Sequence, residues 1–243
     1  MSRAIERLVV EDPSVAAAER LAGVASMGGR IALTGGSTPR AAYERLASMD
    51  VDWRGCTLWF GDERCVPPDD ELSNYAMVKA ALLDRIEGER PQVRRIPAER
   101  GPHEAAEAYE RELREAFADP VPALDLILLG IGPDAHCASL FPNDPALAER
   151  VRLVVGVPQS GLAPWVPRVT LTLPVINAAR EVLFLVAGRE KADAVARAFE
   201  GEPGPDAPSS LVSPASGALT VLLDRAAASL IGAADQATRP PEA

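Results

Sequence analysis

The segment Leu129-Gly130-Ile131-Gly132-Pro133-Asp134-Ala135-His136 ends an apolar run on glycines and then sets a carboxylate two residues before an imidazole. Histidines titrate near about 6.5, so such a pair suits general acid–base work at neutral pH, the acid orienting the ring. A structural histidine is the plain alternative. The position of His136 after a glycine-shaped strand end favours chemistry, because ligands of open α/β sheets bind outside the carboxyl ends of strands. The segment also matches G-x-G-x-x-A, the outline of a dinucleotide fingerprint. Pro133 inside the turn, the mid-chain position and the lack of an acid ending Arg152–Val157 argue against that use. Cys137 beside His136 suggests a thiolate pair, but adjacent side chains rarely face each other, and a small semi-buried residue is the better reading. A metal is not expected: one His and one Asp do not close a site, and His103 lies on an acidic helical stretch.

A second segment, Thr34-Gly35-Gly36-Ser37-Thr38-Pro39, sits between an apolar run and an amphipathic one. Glycines there let the backbone approach a ligand, and the N–H groups of a helix start attract an anion. The even alternative is a tight turn in which Ser37 or Thr38 caps the helix. The P-loop spacing is absent. Asp62-Glu63-Arg64 forms a third strand-end cluster, equally readable as a surface salt-bridge patch. Arg168 and Lys191 stand beside further strand or helix ends and, with the Gly-Gly-Ser turn, would make a local cationic pocket.

Apolar runs alternate with amphipathic stretches along the chain, which is the βα pattern of a largely parallel sheet covered by helices. A helix is predicted from Asp12 as N-cap and Pro13, burying Val15, Ala18, Ala22 and Ala25 and stopping at Gly28-Gly29. Strands are predicted at Ile31–Thr34, Cys56–Phe60, Leu124–Leu129, Arg152–Val157, Val169–Leu173, Val182–Val186 and Leu219–Leu223. Further helices are predicted from Pro39, from Ser73 to about Leu83, at His103–Phe117, at Arg189–Phe199 and at Asp224–Leu230. The seven acids of Glu99–Asp119 read as a solvated helix face. Residues 201–210 read as a surface loop, residues 1–232 as one α/β domain, and residues 233–243 as a flexible tail.

The 243 residues carry a formal charge of −10, which argues against a general nucleic-acid or anionic-membrane binder. Cys56, Cys65 and Cys137 lack paired spacings, so no disulfide framework and a reducing, cytoplasmic setting are expected. No apolar run approaches the length of a membrane span.

Taken in order, TGGSTP, FGDERCVP (Phe60–Pro67), SNY (Ser73–Tyr75), LGIGPDAHCASLFP (Leu129–Pro142), RVTLTLPVINAA (Arg168–Ala179), VAGREKA (Val186–Ala192), SSLVSP (Ser209–Pro214) and LDRAAAS (Leu223–Ser229) resemble the 6-phosphogluconolactonase family across about the whole chain. These sugar-phosphate lactonases are related to glucosamine-6-phosphate isomerase/deaminase. ASLFP after the histidine, and GDER where deaminases tend to read Met-Asp-Glu-Tyr, are similar to the lactonase branch. The resemblance implies a single-domain α/β fold with a largely parallel open sheet and helices on both faces. It implies hydrolysis of 6-phospho-D-glucono-1,5-lactone to 6-phosphogluconate in the oxidative pentose phosphate pathway, without cofactor or metal. His136 would be the general base and Asp134 its orienting partner. Gly35, Gly36, Ser37, Arg64, Arg168 and Lys191 would hold the phosphate and sugar, with Asp62 in support. The expected partner is a small phosphorylated lactone, and the expected state a monomer or weak homo-oligomer. Alternatives are an amino-sugar deaminase and a non-catalytic sugar-phosphate sensor. The latter arises because Ala135 replaces the Gly of the usual Asp-Gly-His.

Overall fold

The structure, a computed structural model, describes residues 5–232. The tail expected over residues 233–243 lies outside them. The chain runs β1 (Glu6–Val9), α1 (Pro13–Ser26), β2 (Arg30–Leu33), α2 (Ser37–Leu46), β3 (Thr57–Phe60) and β4 (Asp62–Arg64). It continues through α3 (Asn74–Ala81), β5 (Gln92–Val93), α4 (Pro102–Ala116), β6 (Leu126–Leu129), β7 (Val154–Val157) and β8 (Arg168–Leu171). It ends with α5 (Leu173–Ala178), β9 (Glu181–Val186), α6 (Ala192–Phe199) and β10 (Ala218–Leu223).

Seven strands form a parallel sheet in the order β1-β10-β9-β6-β2-β3-β5. Every residue of β6 (Leu-Ile-Leu-Leu) and β9 (Glu-Val-Leu-Phe-Leu-Val) is buried, so both sheet faces are covered, as unbroken apolar runs require. From β2 the chain moves outward through β3 to β5; from β6 it moves the opposite way through β9 to β10. β2 and β6 are neighbours, in register Ile31↔Leu126 and Ala32↔Ile127. Their carboxyl ends therefore flank a topological switch point, where an open α/β sheet leaves a crevice. The Gly-Gly turn follows β2, and the Asp134–His136 turn follows β6.

A second, antiparallel sheet of three strands, β4-β8-β7, was not predicted as a separate unit. It pairs Asp62 with Thr170 and Arg64 with Arg168.

Several expected boundaries shift. Asp12 caps α1 through its carboxylate, with Pro13 inside the first turn. The buried stripe, however, is Ser14, Ala17, Ala18, Leu21, Ala22 and Ala25, one position off Val15, which is 38% exposed. Ser73 caps α3 as predicted. Asp224–Leu230 is a run of turns and not a helix: the Asp224 carboxylate accepts the N–H groups of Gly188 and Ala227, and Ala227 alone of these residues is buried. Too little apolar surface is covered there to offset the cost of nucleating a helix. Glu110 departs from the solvated face read for Glu99–Asp119. It is buried and accepts from Arg114 and Arg152 and from the Leu153 N–H. Burial alone would raise its carboxyl, but these donors hold it below the usual carboxylate range and tie α4 to β7.

Candidate active site

The turn after β6 is shaped by close contacts. His136 Nδ1 lies 2.5 Å from Asp134 Oδ1, which also accepts the His136 N–H at 3.2 Å. Burial pushes the Asp134 carboxyl up, but the hydrogen bonds and charge of His136 outweigh it and hold the group below its usual range. The carboxylate thus keeps a proton on Nδ1 and leaves Nε2 as the ring's basic nitrogen. Phe141 lies against the imidazole, with centroids 4.8 Å apart.

Gly132 makes this pair possible. A Cβ there would stand 2.0 Å from His136 Nδ1 and 2.6 Å from Asp134 Oδ1, that is, at both ends of the hydrogen bond. Gly132→Ala is expected to separate the two and lower kcat by about 10²-fold, the loss that a misplacement of about 1 Å produces. The check is kcat measured beside thermal unfolding, because an unchanged kcat in a folded variant would contradict the requirement.

Ala135 adopts φ 69°, the left-handed conformation that the family's usual glycine takes without cost. The turn is pinned nonetheless: the Ala135 N–H donates to Gly132 O at 2.9 Å, and Ser209 N–H donates to Ala135 O at 3.0 Å. The Ala135 methyl is fully buried. A strain of about 1 kcal/mol is nearly offset by burial of the methyl, worth about 0.8 kcal/mol. Ala135→Gly is therefore expected to change unfolding free energy by less than about 0.5 kcal/mol and to leave turnover almost unchanged. Denaturant unfolding together with steady-state rates tests this.

On the facing wall, β4 alternates by the period of a strand. Asp62 and Arg64 line the cavity while Glu63 points away. Glu63 is 3% exposed and accepts from Asn74 N–H, Tyr75 N–H, Arg64 N–H and Ser73 Oγ, gripping the first turn of α3. Burial raises its carboxyl against these donors. Asp62 accepts from Ser139 Oγ at 2.7 Å and from Asn74 Nδ2 at 3.2 Å.

Arg64 and Arg168 lie directly opposite each other across β4 and β8, a placement that like charges disfavour. Arg168 is 3% exposed; burial foremost, then the Arg64 charge, lowers its tendency to hold a proton. The Nε atoms of both arginines are buried without a hydrogen-bond partner. Two arginines placed opposite each other with spare donors have the chemistry to take up an anion.

These walls enclose a cavity of about 240 Å³, lined among others by Gly35, Gly36, Asp62, Arg64, Asn74, Gly132, His136, Arg168 and Lys191. That volume suits one small sugar phosphate and not a dinucleotide. Gly36, at φ 110°, is the N-cap of α2, and no side chain caps the helix, so its first N–H groups remain for a ligand. Ser37 and Thr38 fall inside α2, which removes the side-chain-cap alternative. Ser37 is exposed and does not line the cavity, a departure from the expected binding set. Asp134 stands behind His136 and not on the cavity wall. Cys137 is buried in the core. Asn74, Ser139 and Phe141 are lining residues that sequence reasoning did not assign; their only signal was membership of SNY and ASLFP. Among the described residues, no three of His, Cys, Asp or Glu converge as a ligand set for a metal ion.

The family model for glucosamine-6-phosphate isomerases/6-phosphogluconolactonase matches residues 9–221. The chain belongs to this family. It is 42% identical over 204 residues to a 6-phosphogluconolactonase of Synechocystis sp., covering 82% of this chain and 83% of that one. To the human 6-phosphogluconolactonase it is 45% identical over 176 residues, 72% of this chain and 68% of the relative. The solved 6-phosphogluconolactonase of Trypanosoma brucei superposes with a TM-score of 0.84 at 29% identity, over 95% of this chain and 100% of that chain. A monomeric glucosamine-6-phosphate deaminase shares the fold at 22% identity, TM-score 0.79, over 93% of this chain and 99% of that chain. Both branches of the family thus use this scaffold, and the residues at the crevice must separate them.

Proposed function

We propose that the protein hydrolyses 6-phospho-D-glucono-1,5-lactone to 6-phosphogluconate. The observation that carries this reading is the Asp134–His136 pair in the same small cavity as the opposed Arg64 and Arg168. Arg64, Arg168 and Lys191, with the start of α2, hold the phosphate and fix the lactone carbonyl near His136. Nε2 of His136 takes a proton from water as its oxygen bonds to the carbonyl carbon. The tetrahedral adduct then expels the ring oxygen, which receives that proton and leaves as the C5 hydroxyl, while the acyl carbon becomes a carboxylic acid that gives its remaining proton to solvent and ends as the carboxylate. Asp134 keeps the ring in the tautomer that accepts at Nε2. Asp62, tied to Ser139 and Asn74, supports the cavity wall. A reducing cytoplasm fits this reading: Cys56 and Cys65 form no disulfide, and burial pushes Cys56 up to about 12 and Cys65 up to about 11.

A coupled assay on freshly generated lactone, with spontaneous hydrolysis subtracted, tests the reading. The expected result is 6-phosphogluconate formation well above the spontaneous rate. Faster release of ammonia from glucosamine 6-phosphate would assign the chain to the other branch, and phosphogluconate binding without turnover would make it a sensor.

A further inference from the structure

The ten residues between β7 and β8, Pro158 to Pro167, touch both halves of the cavity. Leu162 and Ala163 line it. Arg168 Nη2 donates to Pro164 O at 2.7 Å and approaches Ser160 Oγ at 3.4 Å, so the anion-site arginine is fastened to the loop. Ser160 Oγ in turn bonds both the carbonyl and the N–H of Leu162, which stiffens the intervening turn. At its tip, Gly161 sits on Phe141: a Cβ there would come within 2.9 Å of Phe141 Cβ and Cγ. Phe141 is 3% exposed, and its ring lies 4.8 Å from the imidazole of His136.

A continuous path therefore runs from Arg168 through Ser160 and its chain neighbour Gly161 to Phe141 and on to His136. We propose that Phe141 is a positioning residue for His136, and that the 158–167 loop, clamped by Arg168, sets where Phe141 stands. An anion on Arg168 then tightens the general base, and binding energy from the unreacting phosphate is expressed in kcat. The proposal rests on the roles given above to His136 and the arginine pair, but its test reads position without turnover.

The chain has two histidines, and His103 lies exposed on α4, away from the lined cavity. Carbon–proton NMR of the two imidazoles therefore contains its own reference. Inorganic phosphate titrated into the native protein is expected to move the His136 ring signals and leave those of His103 in place. In Phe141→Leu, phosphate is expected to bind with little change by calorimetry, while the His136 response is lost. On the lactone, kcat of this variant is expected to fall about three- to tenfold at nearly constant KM, the scale of one aromatic contact. Gly161→Ala, which acts from the loop side and leaves Phe141 itself intact, is expected to blunt the same response. It also decides the matter if Phe141→Leu does not fold.

An equal His136 response in the variants would mean that phosphate acts through its field alone and would overturn the proposal. So would phosphate that does not bind, or binds without moving His136. A native protein that shows the coupled response yet does not hydrolyse the lactone would instead overturn the assigned reaction and leave the coupling intact.

Discussion

Replacing His136 with alanine is expected to lower kcat for lactone hydrolysis by about 10²–10⁴-fold, the usual contribution of a positioned general acid–base group. KM should move little, because the imidazole gains its proton only as the water attacks, so the lost interaction belongs to the transition state. The lactone is an activated ester, and spontaneous hydrolysis sets a floor that must be subtracted. Equal net rates for the native and His136→Ala proteins would remove the residue from the mechanism. Asp134→Asn adds a sharper arm. Its amide can donate where the carboxylate accepts, which would turn Nδ1 into an acceptor and place the ring proton on Nε2, facing the wrong way. Most of the loss should therefore reappear although the shape of the turn is kept. If Asp134→Asn retains nearly full kcat, the 2.5 Å contact is structural and His136 acts without it.

The parts of the site visible in the amino-acid sequence are those built from local pattern. β2, β3, β6, β9 and β10 are apolar runs, and the glycines that follow β2 and β6 mark the crevice before any pairing is known. β4 is different. Asp-Glu-Arg has the composition of a surface patch, and it forms a strand because β8 pairs with it and the start of α3 saturates Glu63. Both supports come from more than ten residues away in sequence, where no local propensity records them. The same holds for the opposition of Arg64 and Arg168, 104 positions apart. Each arginine is ordinary alone, and only the antiparallel register makes them a pair. Ser37 shows the converse difference. Its place in a glycine-rich turn suggested a side-chain contact to the ligand, but α2 begins at Ser37 itself, two residues before Pro39, and leaves its side chain exposed.

Arg168→Met should separate the demands of activity from those of stability. The guanidinium is buried opposite a like charge, and an apolar chain of similar volume removes both that repulsion and the cost of burying the charge. The acceptors it leaves are not orphaned. Pro164 O keeps the Val166 N–H at 2.8 Å, and Ser160 Oγ keeps both its bonds to Leu162. The urea midpoint should therefore stay level or rise. The substrate phosphate, in contrast, would lose a desolvated partner, a loss that costs about two to three orders of magnitude in kcat/KM. Inorganic phosphate should bind correspondingly less well, whereas D-glucono-1,5-lactone, which has no phosphate, should lose only the few-fold that release of the 158–167 loop costs. That last comparison is decisive, because general damage to the fold would depress both substrates equally, while loss of an anion site falls far more heavily on the phosphorylated one. A lowered urea midpoint with an unchanged kcat/KM for the phosphorylated lactone would make Arg168 a structural residue and move the phosphate elsewhere in the cavity. The opposite pattern, weaker catalysis in a protein no less stable, is what a pair of like charges kept together for a ligand must show.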